Sequence, residues 1–338
     1  MRALALSAPA PVETAPLNLE TRPIPAPGPH EILVRVSACG VCRTDLHVVE
    51  GELPPIRPHI VPGHQVVGRV EHAGSSARRF RTGDRVGIAW LRGTCGVCEA
   101  CRAGRENRCE RAEFTGYHAD GGFADFAVVS EAFAYAIPPV FGDAEAAPLL
   151  CAGIIGYRAL KLSEVKPGER LGLYGFGASA HVTLQVARAR GSDVFVCTRE
   201  ESHRALARRL GATWVGGIRE PMPAKMHGTI LFAPAGELVP VALQNLARGG
   251  TLALAGIYMT AVPPLDYERD LFYERTVRSV TANTRADGEQ LLSEAARIPI
   301  RTATTTFALE DANRALALLK QGAFAGAGVL LTGEGSRV

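Results

Sequence analysis

The chain has 338 residues, 47% hydrophobic and 21% charged, with a formal net charge of +3 and both signs mixed along its length. This is material for a soluble enzyme of about two domains, and the near balance of charge excludes the basic footprint of a nucleic-acid-binding protein. No apolar run reaches the roughly 18 residues of a bilayer span, which excludes a membrane helix. Residues 1–20 are interrupted by Pro9, Pro11 and Pro16, leaving no continuous apolar stretch for a signal peptide, so a cytosolic location is expected.

Residues 1–150 read as mostly β. Apolar runs at 32–36, 60–67 and 85–89 are separated by Gly/Pro turns, the texture of a compact barrel or sandwich. A helix is expected from about residue 45, with Thr44 or Asp45 available to cap it. From residue 152 the texture changes: strand-like runs at 170–174, 193–198, 228–233 and 251–256 alternate with helical patterns at 178–190, 201–210 and 239–248. That βαβα order predicts an α/β unit with a parallel, doubly wound sheet. After residue 284 the pattern is mixed, and the tail is expected to return to the first unit. There is no internal repeat and no low-complexity tract.

Eight cysteines are present, and Cys95, Cys98, Cys101 and Cys109 form the pattern C-x2-C-x2-C-x7-C. Four thiolates so close in sequence can close a tetrahedron around one soft-ligand ion, and full coordination by sulfur suits a structural zinc that holds a loop. Two disulfides, or four unrelated thiols, are the alternatives; clustered cysteines in a cytosolic enzyme favour the metal.

The run 171–174 is an apolar strand that ends in Gly175-Phe176-Gly177-Ala178-Ser179-Ala180, a G-x-G-x-x-A dinucleotide loop. Gly175 serves the tight turn, Gly177 lets backbone approach a pyrophosphate, and Ala180 allows close helix–strand packing, with the phosphates at the helix N-terminus. The next strand would end in an acid if the ribose 2′-OH of NAD were bound. Here it ends in Cys197-Thr198-Arg199, which favours the 2′-phosphate of NADP, while Glu200 and Glu201 lie close enough to keep NAD open.

GVCRTDLH, PGHQVVG, WLRGTCGVCEACRAGRENRC, TGYHADGG, LLCAGIIGYRALK and GFGASA occur in this order along the chain. With them the sequence resembles the zinc-containing medium-chain alcohol dehydrogenases over nearly its whole length. The resemblance implies a GroES-like, mostly-β catalytic domain over residues 1–151, a Rossmann cofactor-binding domain over 152–284, and a C-terminal segment, 285–338, that rejoins the first. It also implies two zinc ions, one catalytic on Cys42, His64 and Cys151 and one structural on Cys95, Cys98, Cys101 and Cys109. Thr44 would contact the alcohol and pass its proton by way of the cofactor ribose to His47 at the surface. Asp45 would orient a zinc ligand, Trp90 would narrow the substrate pocket, and Arg285 would meet the cofactor phosphates. Cys39 and Cys197 are bystanders in this reading. The implied reaction is reversible hydride transfer between a small alcohol, or its aldehyde or ketone, and NADP or NAD, in a homodimer or homotetramer.

One position departs from the family pattern: Gln65 follows the zinc histidine where the family usually has Glu. An amide cannot serve as an anionic alternative ligand, and the site becomes less negative. Two other readings remain. A zinc-free quinone or enoyl reductase on the same domains would not need Cys42, His64 and Cys151 together. A nucleotide-binding protein without catalysis would bind cofactor yet show no turnover.

Overall fold

The computed structural model describes residues 1–324 and 326–333. The chain divides into two compact units. One comprises Met1–Cys151, Ala282–Ala296 and the described residues from Thr302 onward; the other comprises Ala152–Thr281 and Arg297–Arg301. The boundary expected after residue 284 therefore falls after Thr281, and a five-residue piece of the tail groups with the second unit.

The first unit is built on a seven-stranded sheet around the long strand Glu31–Val41, which pairs with Gln65–Ala73, with Phe126–Ser130 and with Ala327–Leu331. Arg85–Ile88 and Ala134–Ala136 extend one side, and Thr304–Ala308 the other. Ile32, Val34, Val36, Val66, Val70, Val86 and Ile88 supply a β-branched core at these strands. The strand expected over 60–67 is displaced: Ile60 makes only an isolated bridge to Leu6, and pairing starts at Gln65. Pro62 has no N–H to give a ladder, and Gly63 takes a φ of 97°, so the chain turns before it pairs.

The second unit is a six-stranded parallel sheet. Its spatial order is Trp214–Gly216, Asp193–Cys197, Arg170–Tyr174, Met226–Leu231, Leu246–Leu254, Thr276–Ser279. Numbered along the chain this is 3-2-1-4-5-6, the doubly wound order, with its switch point between Arg170–Tyr174 and Met226–Leu231. Helices Ala178–Ala189, Glu201–Arg209 and Leu238–Gln244 connect the strands. The helix expected over 239–248 stops at Gln244, and the next strand begins at Leu246, well before residue 251. Leu246 pairs with Met226, and a register shift follows between Met226 and Gly228. Among the described residues no helix is long and apolar enough to cross a membrane.

Candidate active site and metal-ligating clusters

Strand Glu31–Val41 runs directly into helix Arg43–Glu50, and Cys42 is the residue between them. Its extended backbone makes it the helix N-cap, in place of the expected Thr44 or Asp45. The Sγ of Cys42 accepts from Thr44 N–H at 3.2 Å, and Asp45 Oδ2 accepts from Cys42 N–H at 2.9 Å. This is a capping box in which a thiol replaces the usual hydroxyl. A helix N-terminus favours the thiolate form. Hydrogen bonding from Cys151 and the charge of His64 together hold the Cys42 thiol well below its usual pKa, against the effect of burial.

Gly63 puts His64 in place. A Cβ at Gly63 would lie 2.4 Å from Phe123 Cδ1 and 2.9 Å from Cys39 Sγ, so only glycine fits this turn. Asp45 Oδ1 accepts from Gly63 N–H at 3.1 Å and from His64 Nδ1–H at 2.9 Å. An ionised carboxylate can only accept, so Nδ1 carries a proton, and it is the neutral ring that would present a lone pair at Nε2 to a metal ion. Burial alone would depress the His64 pKa, but the charges of Asp45 and Cys42 outweigh it and hold it well above the usual histidine value. His64 Nε2 lies 3.3 Å from Cys42 Sγ and 3.2 Å from Cys151 Sγ. Cys151 is delivered by the 3-10 turn Ala147–Leu150.

All three donor atoms lie within 4.8 Å of one another. Tetrahedral bonds of about 2.3 Å to sulfur and about 2.0 Å to nitrogen would set sulfur and nitrogen ~3.5 Å apart. The observed separations are a few tenths of an ångström shorter, so small shifts admit an ion, and three donors leave a fourth position open. The donor set fits a catalytic zinc.

Cys95, Cys98, Cys101 and Cys109 also converge, with their sulfurs within 4.8 Å of one another. All four are free thiols, which removes the disulfide alternative in this structure. Cys98 N–H donates to Cys95 Sγ at 3.3 Å, and Cys95 N–H to Cys109 Sγ at 3.4 Å. Backbone N–H groups of Val97 and Cys98 pull the Cys95 thiol down to about 5. Four thiols so arranged fit a closed tetrahedral ion.

Trp90 stands edge-on to His64 with ring centroids 4.9 Å apart and stacks on Phe114 at 4.8 Å. Tyr117 lies 6.1 Å from the same indole and donates its hydroxyl to Pro54 O at 2.7 Å. Phe114, on the two-residue strand Glu113–Phe114, and Tyr117, within the TGYHADGG run, had no role assigned from sequence, because segments this short have no periodicity that would mark them. Thr44 is buried beside Cys42. His47 was expected at the surface, but its side chain is only 11% exposed and contacts Glu52, which the sequence reading also missed. Gly51, in the left-handed conformation at the helix end, was the available signal that the chain doubles back there. Gln65 is buried, and its Oε1 has no hydrogen-bond partner among the described residues.

In the second unit Gly175 has a φ of 87°, and a Cβ there would meet Ala233 N at 3.0 Å. Gly177 is the N-cap of helix Ala178–Ala189, and a Cβ on it would meet nothing within 4 Å. Among the described residues no atom crowds the Cβ side of Gly177, while Ala180 is fully buried. The turn fits a dinucleotide pyrophosphate. Thr198 is buried at the end of the neighbouring strand, and Arg199 is exposed beside Glu200 at 3.5 Å. Arg204, absent from the sequence reading, donates to Thr198 O at 3.2 Å and to Arg199 O at 2.5 Å, fastening this loop. Arg285 belongs to the first unit, where it makes a two-pronged ion pair with Glu106 at 2.7 and 3.0 Å. Cys39 and Cys197 are buried outside both clusters.

Residues 28–139 match the family described as the alcohol dehydrogenase GroES-like domain. Over 98% of its length the chain is 52% identical to a probable alcohol dehydrogenase, AdhA, of Mycobacterium tuberculosis, covering 97% of that protein. It is 34% identical to an alcohol dehydrogenase of a Moraxella species, over 92% of this chain and 94% of that one. Among solved structures it resembles the cobalt- and zinc-bound thermostable alcohol dehydrogenase of Pyrobaculum aerophilum, with a TM-score of 0.88, 28% identity, and coverage of 98% of this chain and 99% of that one. Identity of this extent, end to end, goes beyond a shared fold: the chain belongs to the medium-chain alcohol dehydrogenase family and is an NAD(P)-dependent oxidoreductase.

Proposed function

We propose that the protein is a zinc-dependent alcohol dehydrogenase acting on a small primary or secondary alcohol, or in reverse on the aldehyde or ketone, with NADP preferred over NAD. The observation that carries this reading is His64, whose Nε2 faces the sulfurs of Cys42 and Cys151 while Asp45 holds its Nδ1. The first unit is the catalytic domain in this reading, and the second binds the nucleotide.

Cys42, His64 and Cys151 hold the catalytic zinc, and Cys95, Cys98, Cys101 and Cys109 the structural one. Zinc held there would supply Lewis acidity to lower the pKa of an alcohol hydroxyl, and a bound nicotinamide nucleotide would supply the hydride acceptor. Asp45 orients the His64 ring and so directs its lone pair. Thr44 hydroxyl, which can both donate and accept, takes the substrate's hydroxyl proton, and His47 carries it toward solvent. Trp90, held by its stack on Phe114, limits substrate size beside His64. Gly175, Gly177 and Ala180 seat the pyrophosphate. Thr198 and Arg199 take the 2′-phosphate; Arg285 would reach the cofactor phosphates only by sharing its bond to Glu106. The absence of a carboxylate at the end of strand Asp193–Cys197 supports NADP.

A homodimer or homotetramer is the proposed assembly. The edge strand Thr276–Ser279 is exposed along all four residues, and Tyr267, Phe272 and Tyr273 are exposed near it in sequence. An open edge flanked by aromatic side chains supports a second copy there, which light scattering tests. A cytosolic location is retained as part of the proposal.

The test of the whole reading is zinc content per chain together with turnover on a panel of short alcohols, aldehydes and enones with NAD and NADP in parallel. Zinc-free protein active on enones alone would support the reductase reading. Zinc-loaded protein that binds nucleotide without turnover would support the inactive one. Equal or better rates with NAD would overturn the cofactor preference.

A further inference from the structure

We propose that Glu52 is the positioning residue for His47: its carboxylate fixes the imidazole in the Nδ1–H tautomer, which makes Nε2 the proton-accepting atom. The proposal rests on the reading of His47 as the proton outlet. Helix Arg43–Glu50 closes at Gly51, whose N–H donates to Val48 O at 3.3 Å with a φ of 79°. The chain then doubles back, and Leu53 N–H donates to His47 O at 3.2 Å. This return lays the Glu52 carboxylate directly on His47 Nδ1. A carboxylate accepts and does not donate, so the proton sits on Nδ1 and the accepting lone pair is on Nε2.

Exposure points the same way. The His47 side chain is 11% exposed and that of Glu52 46% exposed, so the pair runs from a covered ring to a wetted carboxylate. A proton accepted by the ring then meets a counter-charge at the water boundary. The other carboxylates around this helix have partners of their own. Asp45 receives His64, Gly63 and Cys42. Glu50 receives Lys320 from helix Ala312–Gln321 and the N–H of Val12, and Lys320 also reaches Glu13. Arg43 is exposed at the helix start. Glu52 therefore acts on the ring without competition from these groups. No electron moves in this step; Glu52 sets where the ring accepts one proton.

The test uses the purified enzyme and three variants, Glu52→Gln, Glu52→Asp and His47→Asn. Nitrogen-15 NMR of the imidazoles, without substrate or nucleotide, reads the tautomer directly, with the His47 signals assigned by their loss in His47→Asn. The expected result is an Nδ1–H ring in the parent and in Glu52→Asp, and a loss of that preference in Glu52→Gln. Turnover of Glu52→Gln is expected to fall by about tenfold at unchanged alcohol KM, with Glu52→Asp recovering most of it. A parent ring protonated on Nε2, or a tautomer indifferent to Glu52, overturns the inference while a slow His47→Asn keeps the relay reading. A His47→Asn enzyme as fast as the parent overturns the relay reading, and the inference falls with it.

Discussion

Asp45 Oδ1 accepts the Nδ1 proton of His64 at 2.9 Å, with the His64 side chain 1% and the Asp45 side chain 2% exposed to solvent. The same carboxylate takes N–H groups of Gly63 and Cys42, so one buried anion fixes two of the three residues around the candidate metal position. Its removal would strand three donors in the interior. Asp45→Ala is expected to weaken zinc binding by roughly ten- to a hundredfold and to destabilise the chain by about 3 kcal/mol or more. Zinc retained against graded chelator, with chemical unfolding alongside, measures both. Undiminished zinc affinity would show that His64 needs no orienting partner.

The four-cysteine cluster predicts a different outcome. Cys101→Ser should remove one of two bound zinc ions, leaving that on Cys42, His64 and Cys151, and should lower the thermal midpoint. A closed site contributes folding energy rather than chemistry. Metal analysis and a melting curve on the same sample check this; two zinc ions retained in the variant would refute the structural role.

Arg199 is expected to separate the two nucleotides. Its guanidinium is exposed and, among the described residues, held only by Glu200 at 3.5 Å. Arg199→Ala is expected to lower kcat/KM with NADP by about tenfold or more, the worth of a charged hydrogen bond, and to leave NAD nearly unchanged. Parallel kinetics with the two cofactors give the ratio, and equal losses with both would remove Arg199 from the 2′ site.

His181 gives the protein an acid limb. It is fully buried in helix Ala178–Ala189, and burial pushes its pKa down from 6.5 to about 4. The unfolded chain takes up a proton near the higher value, the folded chain only near the lower. Stability is therefore whole above 6.5 and falls as pH drops toward 4. The slope is about 1.4 kcal/mol per pH unit, on the order of 3 kcal/mol in all. His181→Gln should flatten this limb. Urea midpoints near pH 7 and about pH 5 for both proteins compare the slopes; parallel slopes would mean that other groups control acid unfolding.

What could be read locally was read from the sequence. The cysteine cluster lies within one loop, so spacing alone brought its ligands together, and G-x-G-x-x-A needed only the strand before it and the helix after it. The cap at Cys42 went unseen because a thiol is outside the usual set of capping side chains. The break at residues 60–64 and the early start of strand Leu246–Leu254 went unseen because apolar runs look alike until a partner strand selects the paired residues.

Sequence by itself determined the fold class, the family resemblance and the side chains of the two candidate metal clusters, since these depend on residue type and order. Tertiary structure decided which of them meet. Cys42 and His64 are 22 residues apart, and His64 and Cys151 are 87 apart. Only the strand pairing, the turn at Gly63 and the buried Asp45 bring those atoms together. Arg285 beside Glu106 and Glu52 on His47 were likewise settled by folding, because a charged side chain's partner is fixed by the chain that returns to it and not by its neighbours in sequence.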